Sequence, residues 1–112
     1  MITNTMQGTQ STAATSTTQN VLSGQAFERS PITGVVRFAI TAEAAGESRA
    51  TIYVGGRVIL QESPVSRQAR IPLIPDDVLT SAPVRAGEQI IVSHRNTGAC
   101  ANTMFWRVDF AR

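Results

Sequence analysis

Lysine is absent from this sequence of 112 residues, and cysteine and histidine occur once each, as Cys100 and His94. A single cysteine excludes an internal disulfide framework, and with only one histidine too few side chains remain for the usual zinc sites. Charged residues make up 16% of the chain, against about 25% in an average domain. We therefore expect neither a metal nor an organic cofactor.

Long apolar runs and basic clusters are also missing. No segment approaches the ~18 consecutive apolar residues that a membrane-spanning helix needs. Met1–Asn20 lacks the basic residues and the apolar stretch of a secretory signal. The ten arginines exceed the eight acidic residues by only two and do not cluster, so no nucleic-acid-binding surface is expected. The length fits one domain that folds without metal or disulfides.

The first twenty residues differ in composition from the rest. Fourteen residues of Met1–Asn20 are Thr, Ser, Asn or Gln, and the first charged residue is Glu28. Such a segment buries too little apolar area to offset its conformational entropy, although its threonines suit an extended backbone. Two interpretations stay open: a floppy terminus, or an arm that orders on a neighbouring subunit. The predicted organisation is a polar extended arm at residues 1–20 and one domain at residues 21–112.

From Val21 onward the hydrophobic pattern repeats every two residues, which is typical of β-strands. Gly55 and Gly56 separate two β-rich runs within Thr51–Leu60 and predict a tight hairpin, because primed turns need positive φ. About seven or eight short strands without a convincing helix predict an antiparallel β-sandwich or jelly roll. Other predicted strands are Val35–Thr41, Ala69–Ile74 with an edge or bulge at Pro72, Glu88–His94 and Thr103–Phe110; predicted loops are Ala82–Gly87 and Asn96–Asn102.

Candidate catalytic groups are few. Ser93, His94 and Asp109 do not form a triad, because adjacent strand residues point to opposite faces. Asp76–Asp77 lacks the further oxygen ligands of a cation site and is interpreted as a capped turn. Cys100 has no cationic neighbour to activate its thiol, and one histidine is too few for a cupin-type metal enzyme. We expect no enzymatic activity.

The remaining candidates are interface residues. Trp106 is predicted to lie in the core, with a sugar-stacking role as the alternative. Phe105 points the other way and is either packed by the N-terminal segment or exposed to a partner. Arginine is enriched at protein interfaces, where lysine is depleted. The candidate interface residues are Thr3, Thr5, Thr9, Thr12, Phe105 and Arg107.

The layout resembles small virion proteins of tailed bacteriophages, in particular capsid decoration (cement) proteins. The resemblance is carried by Met1–Asn20, the hairpin Thr51–Leu60, and Val84–Ile90 leading to Phe105–Phe110. It covers the layout of the whole chain and contains no catalytic signature. It implies a non-enzymatic protein that is made in the host cytoplasm and stabilises the shell from the capsid surface. The implied partners are the major capsid protein and copies of itself, as a dimer or trimer, with no small-molecule substrate.

The alternative from another class is a carbohydrate-binding or receptor-binding β-sandwich module on a virion. Such a module needs exposed aromatic rings for stacking on sugars, and one Trp, one Tyr and four Phe are a poor supply. For the structural protein, the mechanism is strand addition by the extended segment Met1–Asn20, with many weak contacts summed over a lattice.

Overall fold

The structure is a computed structural model that describes residues 2–42, 48–65 and 78–112. In these ranges the chain forms eight β-strands and no helix. None of the described segments is a helix long and apolar enough to cross a membrane. The strands are β1 (Ile2–Thr12), β2 (Thr17–Thr18), β3 (Gly34–Ala42), β4 (Ser48–Val54), β5 (Arg57–Pro64), β6 (Val78–Val84), β7 (Ile90–Asn96) and β8 (Asn102–Ala111).

The strands form two antiparallel sheets. The first sheet has the order β1-β8-β3-β6 and the second the order β2-β7-β4-β5. The first half of the chain thus pairs with the second half in reverse order, as β1 with β8, β2 with β7, β3 with β6 and β4 with β5. This is the connectivity of a jelly roll, in which a long folded-back hairpin is rolled into two layers. The predicted all-β sandwich is confirmed.

The turn of that long hairpin lies at the glycine pair. Gly55 and Gly56 have φ values of 57° and 81°, the left-handed conformation that a primed two-residue turn requires and that glycine adopts without a steric penalty. Behind the turn, Ile52 and Val54 of β4 are fully buried. The predicted hairpin is therefore confirmed at its turn and on its inward face.

Apolar side chains from both sheets fill the space between them. On β3 and β8 the residues at alternate positions are buried as the period of two predicts, and Trp106 is 1% exposed. Phe27 packs edge-on against Phe110, with ring centroids 5.9 Å apart. The alternating buried residues on these two strands are Val36, Phe38 and Ile40, and Met104, Trp106, Val108 and Phe110.

Part of one predicted loop is wrong. Ala82 to Val84 belong to β6 rather than to a loop, and Ala82 and Val84 are 5% and 3% exposed. Pro83 fits in this strand because β6 lies at the edge of the first sheet, where proline is tolerated. The predicted strand Ala69–Ile74 and the Asp76–Asp77 turn lie outside the described residues.

The N-terminal segment lies on the sandwich. Residues 2–12 are β1, which pairs along its length with β8, and residues 17–18 are β2, which pairs with β7. A turn between them places Thr15 at a φ of 51° and directs its N–H to the carbonyl of Gly98, at 3.1 Å. The segment predicted as an arm is thus extended and contacts its own chain. The division of the chain at residue 20 stays a prediction.

Candidate protein interface

The four sheet edges differ in how they are protected. An edge strand presents unpaired N–H and C=O groups, and natural edges are blunted by shortness, charge, proline or bulges. β2 has only two residues, and β5 carries Arg57, Glu62, Pro64 and two register shifts. β6 carries Pro83 and, nearer its start, one register shift. β1 has eleven residues, no charge and no proline. Within the described ranges, no strand pairs with its other side. We call this side the open edge.

The inward face of β1 fits closely over the core. Met6 is 8% exposed, and Gly8 lies opposite Trp106 in the register with β8. A Cβ at Gly8 would lie 2.8 Å from Cζ2 of the Trp106 indole, closer than real side chains approach. Glycine is therefore needed at this position for β1 to pair with β8 above the ring.

A buried polar network fixes the far end of β1. The Thr12 hydroxyl lies 2.6 Å from that of Thr18 on β2 and 2.9 Å from Nδ1 of His94 on β7. On the other side of the imidazole, Nε2 lies 2.8 Å from the hydroxyl of Ser48, which accepts a hydrogen bond from Nδ2 of Asn102 at 2.9 Å. The network joins strands of both sheets at one end of the sandwich.

The network suits a neutral imidazole. A neutral ring has one N–H donor and one acceptor nitrogen, and a hydroxyl group, which can donate or accept, lies within hydrogen-bond distance of each ring nitrogen. Burial lowers the pKa of His94 from 6.5 to about 4, since an imidazolium there would lose its hydration. His94 is thus neutral near pH 7, and its ring bonds to Thr12 and Ser48 rather than to the Ser93 and Asp109 of the rejected triad.

The side chain of Asn96 forms hydrogen bonds that connect the end of β1 to the loop after β7. Its side-chain Nδ2 donates to the carbonyls of Thr12 and Cys100, at 3.1 and 2.8 Å, and its Oδ1 accepts from the N–H of Gly98 at 2.9 Å. The side chain is 1% exposed. It therefore provides hydrogen bonds to main-chain groups of three residues at this end of the sandwich.

A buried carboxylate lies on the outer face of the first sheet. Oδ1 of Asp109 accepts from the hydroxyl of Thr5 at 2.8 Å and from Nε of Arg107 at 3.1 Å. Nη2 of Arg37 lies 3.6 Å from Oδ2. Asp109 is 1% exposed, whereas the two arginine side chains are 34% and 29% exposed. The cluster joins β1, β8 and β3 and neutralises the carboxylate.

An apolar row crosses the same outer face where β1 begins. In the register, Ile2 pairs with Ala111, Ala111 with Val35, and Val35 with Pro83. Ile2 and Val35 are 44% and 43% exposed. Single exposed apolar residues are common on protein surfaces, but here the row is continuous and begins on the open strand. It adds apolar contact area next to the open edge.

The predicted interface residues divide by face. Thr5, Thr9, Phe105 and Arg107 lie on the outer face of β1 and β8, where Thr9 pairs with a half-buried Phe105. Thr12 faces inward, 2% exposed. Thr3 lies in β1 at a register shift. Their role in an interface stays a prediction.

Sequence reasoning missed the open edge itself, the Thr12–His94 contact and the burial of Asp109. The one available signal for the edge was eleven successive residues without charge or proline. The other two features join residues far apart in the chain, and no local pattern marks them.

One cavity of about 580 Å³ opens between the β4–β5 hairpin and the β6–β7 loop. Across it, Nη2 of Arg57 lies 3.6 Å from Oε1 of Glu88, and the same oxygen accepts from the N–H of Arg85 at 2.7 Å. Arg57 also donates to the carbonyl of Pro83, at 3.2 Å. The ion pair between Arg57 and Glu88 thus connects the β4–β5 hairpin to the β6–β7 loop. The lining residues are Thr33, Gly34, Gly55, Arg57, Pro83, Val84, Arg85 and Glu88.

The part of the chain that the structure describes contains no group of three or more His, Cys, Asp or Glu side chains that could hold a metal ion. No protein-family model, no curated protein and no solved structure matches this chain. The arrangement that remains as a candidate site is the open edge of β1 with the outer face beside it.

Proposed function

We propose that this is a non-enzymatic structural protein that binds other protein subunits, and that it decorates and stabilises a phage capsid. The observation that carries the proposal is the open edge of β1, which is long, uncharged and firmly held. The other three edges of the described sheets have shortness, charge, proline or bulges that discourage strand addition. β1 has no charge and no proline along eleven residues, and its register shift lies at its start, between Ile2 and Asn4.

The fold narrows the choice of function without deciding it. Jelly rolls occur in viral capsid proteins, lectins and cupins, and function has to be argued from the site. A cupin-type centre needs several histidines around an open metal position. His94 is the single histidine of the chain, and hydroxyl groups contact both of its ring nitrogens inside the sandwich. The arrangement favours a structural role for this residue.

The carbohydrate-binding alternative receives less support from the surface. The structure describes all six aromatic residues of the chain, and none of them is exposed. Phe27, Tyr53 and Phe105 are half-buried, and the other three are buried. A ring that stacks on a sugar must present a face to solvent, so the aromatic inventory favours protein binding over sugar binding.

Strand addition explains how an edge that binds weakly can still attach the protein to a capsid shell. Main-chain hydrogen bonds along an added strand give affinity without side-chain chemistry. The exposed apolar row beginning at Ile2 adds contact area beside the edge. On a lattice that repeats the same contact, many weak contacts sum to stable attachment. Each copy therefore needs only a modest contact.

Co-sedimentation with assembled phage capsids from the same source tests the proposal. We expect saturable binding at a fixed number of copies per shell, and loss of binding in the variant Gln7→Lys/Thr9→Lys, which places charges on the exposed positions of the open strand. The matched control Val58→Lys/Gln61→Lys, on exposed positions of β5, is expected to bind like the wild type. Absence of wild-type binding to the shells overturns the proposal, as does binding that a free oligosaccharide abolishes.

A further inference from the structure

We infer that the open edge of β1 pairs with β1 of a second copy of this chain, antiparallel about a two-fold axis. The two first sheets then form one continuous eight-stranded sheet. The inference rests on the proposed function in one respect: both take β1 as a protein-binding edge. It goes further by naming a second copy as an occupant of that edge, so that in solution the second copy and a capsid subunit compete for it.

Charge is the first argument for a second copy. A two-fold axis places each residue of β1 opposite a residue of β1 in the other copy, so a charge at or next to the axis lies directly or diagonally opposite the same charge. Like charges opposite one another destabilise a strand pair. β1 contains no charged residue over eleven positions, so it pairs with itself without repulsion. An edge selected for a charged partner would carry complementary charges.

Side-chain size and polarity are also self-complementary. With the two-fold axis at Gln7, Met6 of one copy lies opposite Gly8 of the other, and Thr5 lies opposite Thr9. A large side chain thus meets the strand's one glycine on the inward face. On the outward face, where Thr5, Gln7 and Thr9 are exposed, the Thr9 hydroxyl of one copy meets the Thr5 oxygen of the other, which can accept while its own O–H donates to Asp109. Such a threonine pair is a favourable cross-strand pairing.

Length sets the expected strength. Eleven residues at about 3.4 Å each span about 37 Å, and the molecule measures 40 Å along its longest axis. Such a pair forms about ten main-chain hydrogen bonds. The strip of contact is narrow, on the order of 350 Å² per copy for a height of about 10 Å, which is below the roughly 800 Å² per partner of standard stable interfaces. We therefore expect a weak dimer whose population depends on concentration in the micromolar range.

The edge is fixed before a partner arrives. Gly8 seats β1 over Trp106, and the Thr12 hydroxyl bonds to His94 and Thr18 at the other end. A strand already held in the extended conformation loses little conformational freedom on pairing. This offsets part of the disadvantage of the small contact area.

Sedimentation equilibrium of the pure protein, without capsids, tests the inference. The wild type is expected to shift from monomer to dimer as its concentration rises from about 1 to about 500 micromolar. Gln7→Lys/Thr9→Lys and Gln7→Glu/Thr9→Glu are each expected to weaken dimerisation at least tenfold. A 1:1 mixture of the two is expected to restore a dimer, now heterodimeric, because opposite charges then face each other. Val58→Lys/Gln61→Lys is the matched control and is expected to dimerise like the wild type.

A second measurement uses the unmodified chain and does not depend on variants that fold. Hydrogen exchange at low and high protein concentration is expected to show added protection at alternate amides of β1 and none at β5. A wild type that stays monomeric at all concentrations overturns the inference. A dimer that the β1 variants leave intact, or that protects β5 instead, also overturns it. A monomer that still binds capsids leaves the proposed function standing, whereas a β1 dimer that binds no capsid contradicts only the function.

Discussion

The imidazole of His94 makes the stability of this protein depend on pH in a defined window. It is fully buried between the hydroxyls of Thr12 and Ser48. Burial lowers its pKa from 6.5 to about 4. Between these two values the unfolded chain holds the proton and the folded chain does not. Folding stability therefore falls as the pH falls from about 6.5 to about 4 and is independent of this group below that.

The size of the effect follows from the two pKa values. A difference of one unit corresponds to about 1.4 kcal/mol, so the window from 6.5 to about 4 corresponds to about 3 kcal/mol in total. At pH 5 the expected loss is about 2 kcal/mol relative to pH 7.5. Small domains are stable by roughly 5–15 kcal/mol, so a loss of about 2 kcal/mol is a substantial part of the total stability.

Urea unfolding at pH 7.5, 6, 5 and 4, followed by the fluorescence of Trp106, measures the effect. For an m-value of about 1–2 kcal/mol/M, the wild-type midpoint is expected to fall by about 1–2 M urea between pH 7.5 and 5. The control is His94→Gln, whose amide can donate and accept but does not titrate. The difference between the two proteins isolates His94 from the carboxyl groups. Parallel pH profiles for the wild type and His94→Gln would refute the reasoning.

Three further predictions concern packing, charge and backbone conformation. Gly8→Ala forces a Cβ to within 2.8 Å of the Trp106 ring and is expected to cost about 1–3 kcal/mol in urea unfolding, while Ser11→Ala on the same strand should be nearly neutral. Asp109→Ala leaves Arg37 and Arg107 without their buried carboxylate and is expected to cost about 1.5–3 kcal/mol by the same assay; a loss below about 0.5 kcal/mol would contradict the role given to the cluster. Gly56→Ala meets no neighbouring atom, so only the left-handed backbone opposes it; a loss of about 1 kcal/mol, or about 4–8 °C in Tm, is expected, and Gly56→Asn should lose less.

The sequence predicts those parts of the fold that local pattern controls. Gly55 and Gly56 mark the hairpin because positive φ at two successive positions strongly favours glycine. The alternation around Phe38 and Trp106 identifies the inward faces of β3 and β8, because each strand has one face in the core. Ala82 to Val84 were predicted as part of a loop but belong to an edge strand, and a proline on an edge strand has the same local sequence as a proline in a loop.

The remaining features depend on contacts between distant residues. His94 bonds to Thr12 and Ser48, which precede it by 82 and 46 positions, and no local pattern connects them. Asp109 lies on the outward side of β8, where solvent exposure is the natural expectation, yet Thr5 and Arg37 from the two neighbouring strands cover it. Burial of this kind is a property of three strands together.

The position of β1 changes how the N-terminal segment contributes to binding. A disordered arm that orders on a partner must recover its conformational entropy from the binding contact, at roughly 1–2 kcal/mol per residue. For the eleven residues of β1 this amounts to about 10–20 kcal/mol, more than a narrow strip of edge supplies. Because β1 already pairs with β8 of its own chain, this conformational entropy is lost when the chain folds and not when it binds a partner. The hydrogen bonds of the open edge then contribute to affinity directly. Protection of β1 amides from exchange in dilute, monomeric protein is the observation that separates these two mechanisms, and unprotected amides there would restore the arm that orders on its partner.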